Sequence, residues 1–223
     1  MRGLRALFFI AGLMAVCHAL AQYPSRPVRM LVGFPPGGAN DIVARIAAQK
    51  LSETLGQPVV VENRPGNAGV VAAEVLAKAA SDGYTLMLGS TGTNSIAPAL
   101  NSRLPYDPVN AFVPVGLVGI APSAMPERLR SMPDIPTVAE QGLPGYEMST
   151  WYGVFAPAGT PAETVERLGA ELRRAVADPK VREQIAAQGI EPVSNAPAEF
   201  RAFVNSELEK WARVVKAAGI KGD

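Results

Sequence analysis

Histidine and cysteine are almost missing from this 223-residue chain, which has one of each, the neighbours Cys17 and His18. Both fall in a stretch that reads as a secretory signal peptide. Arg2 and Arg5 form a basic start, Ala6 to Val16 is an apolar run, and Ala19-Leu20-Ala21 supplies the small-x-small pattern of a cleavage site. The apolar run is shorter than the roughly 20 residues a bilayer-spanning helix needs, and Val16 is not the small residue that lipidation of Cys17 would require. Residues 1–21 are therefore expected to be removed, leaving a chain that starts at Gln22 and has no thiol and no imidazole. Such a chain has no Ser-His-Asp triad, no cysteine nucleophile, none of the usual zinc ligand sets and no disulfide framework, so its stability must come from a packed core.

An excess of charge is missing as well. Taking Arg2 and Arg5 from 21 basic residues leaves 19, against 20 acidic ones. That balance gives no electrostatic footprint for nucleic acid or an anionic membrane, and it points to small molecules or proteins as partners. What is present is a globular composition, 48% apolar, in a chain long enough for one large domain or two small ones.

Strand and helix patterns alternate along the first half. Val28 to Val32 is a short β-branched run, Gly33 to Ala39 a loop rich in glycine and proline, and Asp41 to Leu55 a helical pattern. Val59 to Val61, a turn at Glu62 to Gly66 and an alanine-rich helix from Gly69 to Ala80 repeat the unit, and Thr85 to Leu88 starts a third. This order predicts an α/β fold with a mainly parallel sheet and helices on both faces, its ligand crevice at the carboxyl ends of the strands.

Two loops reach that edge. In the first, Gly37, Gly38, Asn40 and Asp41 sit at a helix N-terminus, where free N–H groups and the helix dipole favour an anion. The loop lacks the lysine of a phosphate-binding P-loop and the spacing of a dinucleotide fingerprint, so a carboxylate fits it better. It reads equally as a tight turn with Asn40 or Asp41 as N-cap. In the second loop, Ser90, Thr91, Gly92, Thr93 and Asn94 offer hydroxyls and an amide that can donate to carboxylate oxygens, or can cap the next helix.

At this point the chain resembles a known family. Tyr23-Pro24-Ser25-Arg26-Pro27-Val28-Arg29, Phe34-Pro35-Pro36-Gly37-Gly38-Ala39-Asn40-Asp41, Gly56 to Gly66, and Asp82-Gly83-Tyr84-Thr85-Leu86 are similar to the Bug-type receptors of tripartite tricarboxylate transporters. The likeness continues through Leu104 to Pro108, Met132 to Glu140, Trp151 to Pro161 and Ala186 to Gly189. It implies a periplasmic solute-binding protein that captures small carboxylic acids for membrane permease subunits, with no cofactor, no metal and no catalysis. It also implies a type II periplasmic-binding-protein-like lobe. The ligand carboxylate is then expected against Phe34, Pro36, Gly37, Gly38, Asn40 and Asp41, partly through ordered water, with Ser90 to Asn94 facing the same cleft. Trp151 and Tyr152, beside Gly153, either wall that cleft or pack beneath a hinge, and Trp151 is counted with the site.

Against the family, a block of about 100 residues, the size of a small domain, is expected to be missing between Ile120 and Met125, and with it most of the second lobe. Residues 120–125, with two nearby prolines and no clear period, read as a short connector. Residues 22–119 and 126–223 would then form one lobe. Later elements are expected as a strand within Asp107 to Gly119, helices from Pro161 to Ala177 and from Pro179 to Gln188, a strand at Ile190 to Val193 and a helix from Pro197 to Ala218. The first of these helices is read with Thr160 as N-cap and Glu163 completing a capping box, and with Val165, Leu168, Leu172 and Val176 as its core face. Two other classes stay open: a single-lobe interaction or signalling protein without high-affinity ligand binding, and a hydrolase built on Ser90, which the missing G-x-S-x-G elbow counts against.

Overall fold

Every side chain of Val28–Val32 (β1) except Arg29 is fully buried, with Val28, Met30 and Val32 facing one core and Leu31 the other. A strand covered on both faces belongs inside a parallel sheet, and β1 lies between β2 (Val59–Asn63) and β3 (Thr85–Ser90), parallel to both. Three further strands, β4 (Phe112–Ala124), β5 (Met148–Pro157) and β6 (Glu191–Pro192), complete the order β2-β1-β3-β5-β4-β6. In this computed structural model residues 23–124, 128, 133–142 and 148–220 are described, so the expectation for residues 1–21 lies outside them.

The expected parallel character holds for the first three strands and gives way beyond them. β5 runs antiparallel to both β3 and β4, and β6 antiparallel to β4, so the whole sheet is mixed. Parallel neighbours need a crossover of a dozen or more residues, such as α1 (Ala39–Leu55) and α2 (Val70–Ala77) provide, whereas β5 simply returns beside β4.

Helices cover both faces. On one, α1, α4 (Ala162–Ala177) and α5 (Pro179–Ala186) bury Val43, Leu51, Leu168, Leu172 and Ile185 against the sheet; on the other, α2 and α6 (Pro197–Ala217) bury Leu76, Phe200 and Val204. A short α3 (Ala97–Leu100) follows β3. The predicted stripe on α4 is buried at all four positions, Val165, Leu168, Leu172 and Val176. Its start is different. Pro161 is the N-cap, and the Thr160 hydroxyl donates back to the Pro157 carbonyl at 2.8 Å, so the expected capping box does not form.

Residues 120–124 are also strand rather than connector. They continue β4, with Ile120 opposite Trp151, Ala121 opposite Thr150 and Pro122 opposite Ser149. Pro122 is tolerated because β6 has already ended beside Ile120, leaving that side of β4 unpaired, and the register slips just after it.

Close packing between β5 and α6 fixes the second core. A Cβ built on Gly153 would lie 2.1 Å from Cζ of Phe200, a ring that is itself fully buried. Gly153→Ala is expected to cost about 1–2 kcal/mol through overpacking, read as a lower midpoint in urea unfolding. An unchanged midpoint would mean that α6 shifts freely away from the sheet.

Candidate functional site

The loops that leave β1, β2 and β3 meet at the carboxyl edge of the parallel strands. The first is the strand-to-helix turn from Gly33 to Asn40. Gly38 is the N-cap of α1, and its carbonyl accepts from Ile42 N at 3.0 Å, so Ala39 and Asn40 open the helix with N–H groups that have no intrahelical acceptor. Pro36, Gly37 and Gly38 are exposed, and Phe34 and Asn40 are half-buried. No side chain takes the cap, contrary to the alternative reading of Asn40 or Asp41 in that role.

Asp41 faces the protein. It is 3% exposed, and one carboxylate oxygen accepts from Gly37 N and from Arg45 Nε, both at 2.9 Å, while the other accepts from Asn63 Nδ2 at 2.9 Å. Burial alone would raise its pKa, but these donors outweigh it and hold the carboxyl at about 2, so it is ionised at neutral pH. Asn63, at the end of β2, also donates to the Phe34 carbonyl at 3.0 Å. Asp41 and Asn63 thus brace the first loop from inside. Asn63 was not among the expected site residues; its signal was its place at the end of a strand beside that loop.

The loop after β2 turns through Gly66, Asn67, Ala68 and Gly69, all with positive φ. For Asn67 and Ala68, at 44° and 52°, this backbone is strained and must be held by its surroundings. One contact holding it comes from the third loop, where Thr93 Oγ1 donates to the Ala68 carbonyl at 3.0 Å.

That third loop is more ordered and more buried than its composition suggested. β3 runs through Ser90, and Gly92–Ile96 forms a turn of π-helix leading into α3. Thr91 Oγ1 accepts from Trp151 N at 2.8 Å and lies 3.4 Å from the Ser149 carbonyl, so it ends the ladder between β3 and β5 in place of a further strand residue. Asn94 Oδ1 fills the space where a Cβ on Gly89 would sit, and it has no hydrogen-bond partner among the described residues. Among the described residues Ser90 has no hydrogen bond through its hydroxyl, while those of Thr91 and Thr93 are both taken by backbone.

Of the expected ligand contacts, the structure therefore brings the turn from Phe34 to Asn40 and Ser90 to one edge, while Asp41, Thr91 and Thr93 hold that edge together and Gly92 is half-buried within it. Trp151 belongs elsewhere. It is fully buried in the core under α6, because alternation along β5 sends it to the opposite face from Tyr152. Tyr152, opposite Ser90 in the ladder, is on the α1 side, and burial raises the pKa of its hydroxyl. Two surface grooves lie away from this edge, one of about 210 Å³ between α1 and α5 and one of about 320 Å³ between the starts of α4 and α6. Among the described residues no helix is long and apolar enough to cross a membrane, and no group of acidic, histidine or cysteine side chains is placed to hold a metal.

Comparison with known proteins agrees with this architecture. A family model described as a tripartite tricarboxylate transporter family receptor matches residues 43–125 and 122–220. A UPF0065 protein from the tcbD–tcbE intergenic region of Pseudomonas sp. strain P51 is 30% identical over an alignment of 313 residues that covers 95% of this chain and 93% of the relative. Protein BugT of Bordetella pertussis is 29% identical, with 95% and 94% covered. Among solved structures, the periplasmic binding protein BugD is 26% identical with a TM-score of 0.84, covering 90% of this chain and all of that one. MatC from Rhodopseudomonas palustris with bound malate is 27% identical with a TM-score of 0.82, covering 86% and 100%. An alignment of 313 positions exceeds the 223 residues of this chain by 90, so at least that many positions have no counterpart in it, and the family match itself divides at residues 122–125. With that match across most of its length, the chain belongs to the receptor family of the tripartite tricarboxylate transporters.

Proposed function

We propose that this chain is an exported receptor lobe that recognises small carboxylic acids through the β1 loop and serves the permease subunits of a tripartite tricarboxylate transporter, in the periplasm. The observation that carries this reading is the exposed turn at the start of α1, where the N–H groups of Ala39 and Asn40 are free to meet a carboxylate and the shape is held by Asp41, which accepts from Gly37 N, and by Asn63. The Ser90 hydroxyl at the same edge is 2% exposed and has no hydrogen-bond partner among the described residues, so it is a second donor only for a ligand that presses into the floor of the edge. The malate bound to MatC, a relative of the same fold, is a ligand of this class.

The positions without a counterpart fall, in this reading, where β4 and β5 would carry the chain into a second lobe. A receptor that closes two lobes on its ligand buries most of it, and one lobe cannot. Recognition is then weak, in the millimolar range, and occupancy is not signalled by closure.

Thermal unfolding of residues 22–223 against mono-, di- and tricarboxylates, malate among them, tests this. A millimolar ligand at about tenfold excess stabilises by about 1.4 kcal/mol, a rise of about 3–6 °C for a chain of this size. A panel in which no acid moves the transition would end the carboxylate reading. A sub-micromolar dissociation constant would end the single-lobe reading.

A further inference from the structure

We propose that Thr93 is a positioning residue of the carboxylate site, setting the β1 loop through the loop that follows β2 without touching the ligand. The proposal rests on the reading that the β1 loop receives the carboxylate, and it replaces the expectation that Thr93 is itself a contact.

Three observations form a chain of contacts. Thr93 is 2% exposed, and its hydroxyl donates to the Ala68 carbonyl within the strained turn where Asn67 and Ala68 both have positive φ. The next residue, Gly69, has φ of 93°, and a Cβ on it would lie 2.3 Å from Thr93 Oγ1, so the turn is pressed against this one side chain. Gly69 in turn supports the exit of β1, because a Cβ on Gly33 would lie 2.5 Å from Gly69 Cα. Backbone meets backbone there, with no flexible side chain to absorb a displacement. A strained turn keeps its shape only while its neighbours over-determine it, and the hydroxyl of Thr93 is a directional contact on it. Releasing that contact lets Gly69 relax, and Gly33 and the turn from Phe34 to Gly38 move with it.

Thr93→Val removes the hydroxyl at constant shape, and Thr93→Ser keeps it. In the ligand-free protein, backbone amide resonances of the non-proline residues among 33–40 are expected to move in Thr93→Val and to return to their wild-type positions in Thr93→Ser. Malate affinity is expected to fall about three- to tenfold in the valine variant and to recover in the serine variant, the scale of one lost hydrogen bond. Thr93→Ala, which removes the same hydroxyl without adding bulk, replaces Thr93→Val if that variant does not fold. Resonances of residues 33–40 that stay in place in the variants lacking the hydroxyl, or that move as far in Thr93→Ser, overturn the proposal. If wild-type protein binds no malate while the resonances move and return as stated, the positioning role stands and the receptor reading is what fails.

Discussion

Trp151→Ala is expected to lower stability by about 3–5 kcal/mol and the melting temperature by about 10 °C. The indole is completely buried on the α6 face of β5 and lies 5.8 Å from the ring of Phe200, 5.9 Å from Phe203 and 6.1 Å from Phe155, centroid to centroid. Truncation would leave a cavity surrounded by three rings that are held by the sheet and by α6, so collapse around it is limited. Trp151→Phe should cost much less. It fills most of the volume and also removes an indole N–H that has no acceptor among the described residues. A cleft-wall role makes the opposite prediction, with unfolding midpoints near wild type in both variants and ligand affinity lost. Urea unfolding of the two variants separates these outcomes.

Trp151 also shows where the sequence was hard to read. The run from Trp151 to Pro157 contains aromatic and β-branched residues, the composition of a strand, yet Gly153 inside it and Pro157 at its end weaken that signal. Gly153 is there because Phe200 occupies the space of its Cβ, a long-range reason that no local pattern reveals. Without β5, the antiparallel half of the sheet and the side to which Trp151 points could not be read. The end of β4 was obscured in the same way, since Pro122 is acceptable only on an edge left free by the early end of β6.

The first half was legible because its signals are local. Buried β-branched runs and helical stripes repeat with short connections, and Gly56, at φ of 69°, ends α1 where the pattern breaks. The site was legible as a location but not as a set of contacts. Glycine, serine, threonine and asparagine clusters identify the loops at the sheet edge, but the same donors serve ligands and backbone equally well. Thr91 finds β5, Thr93 finds the β2 loop, and Asp41 finds Asn63, each through neighbours at least 22 positions away in the chain. Composition gives the donor set; only the fold decides which donors remain free.

Asp41 carries the second large effect, and its sign follows from its ionisation. Its carboxyl titrates at about 2 in the folded protein against 3.8 when unperturbed, because Arg45, Gly37 and Asn63 donate to it strongly enough to overcome burial. A group whose pKa is depressed on folding stabilises the native state at every pH above its unfolded value, and that stabilisation is lost as the pH falls through the interval towards the folded one. The interval here runs from 3.8 down to about 2. Its worth at neutral pH is about 2 kcal/mol, at the upper end because Arg45 is 53% exposed and screened by solvent. Asp41→Asn keeps the shape and removes the charge, so it should cost about 2 kcal/mol at about pH 7 and almost nothing near pH 2. Asp41→Ala, which leaves Gly37 N without an acceptor and takes from Asn63 Nδ2 one of its two, should cost about 3 kcal/mol. The other depressed carboxylates, Glu62, Asp107, Glu140 and Asp178, titrate alike in wild type and variant, so the difference between the two isolates Asp41. Urea unfolding of wild type and Asp41→Asn across this range is the measurement, and a constant difference at every pH would mean that shape rather than charge holds the β1 loop.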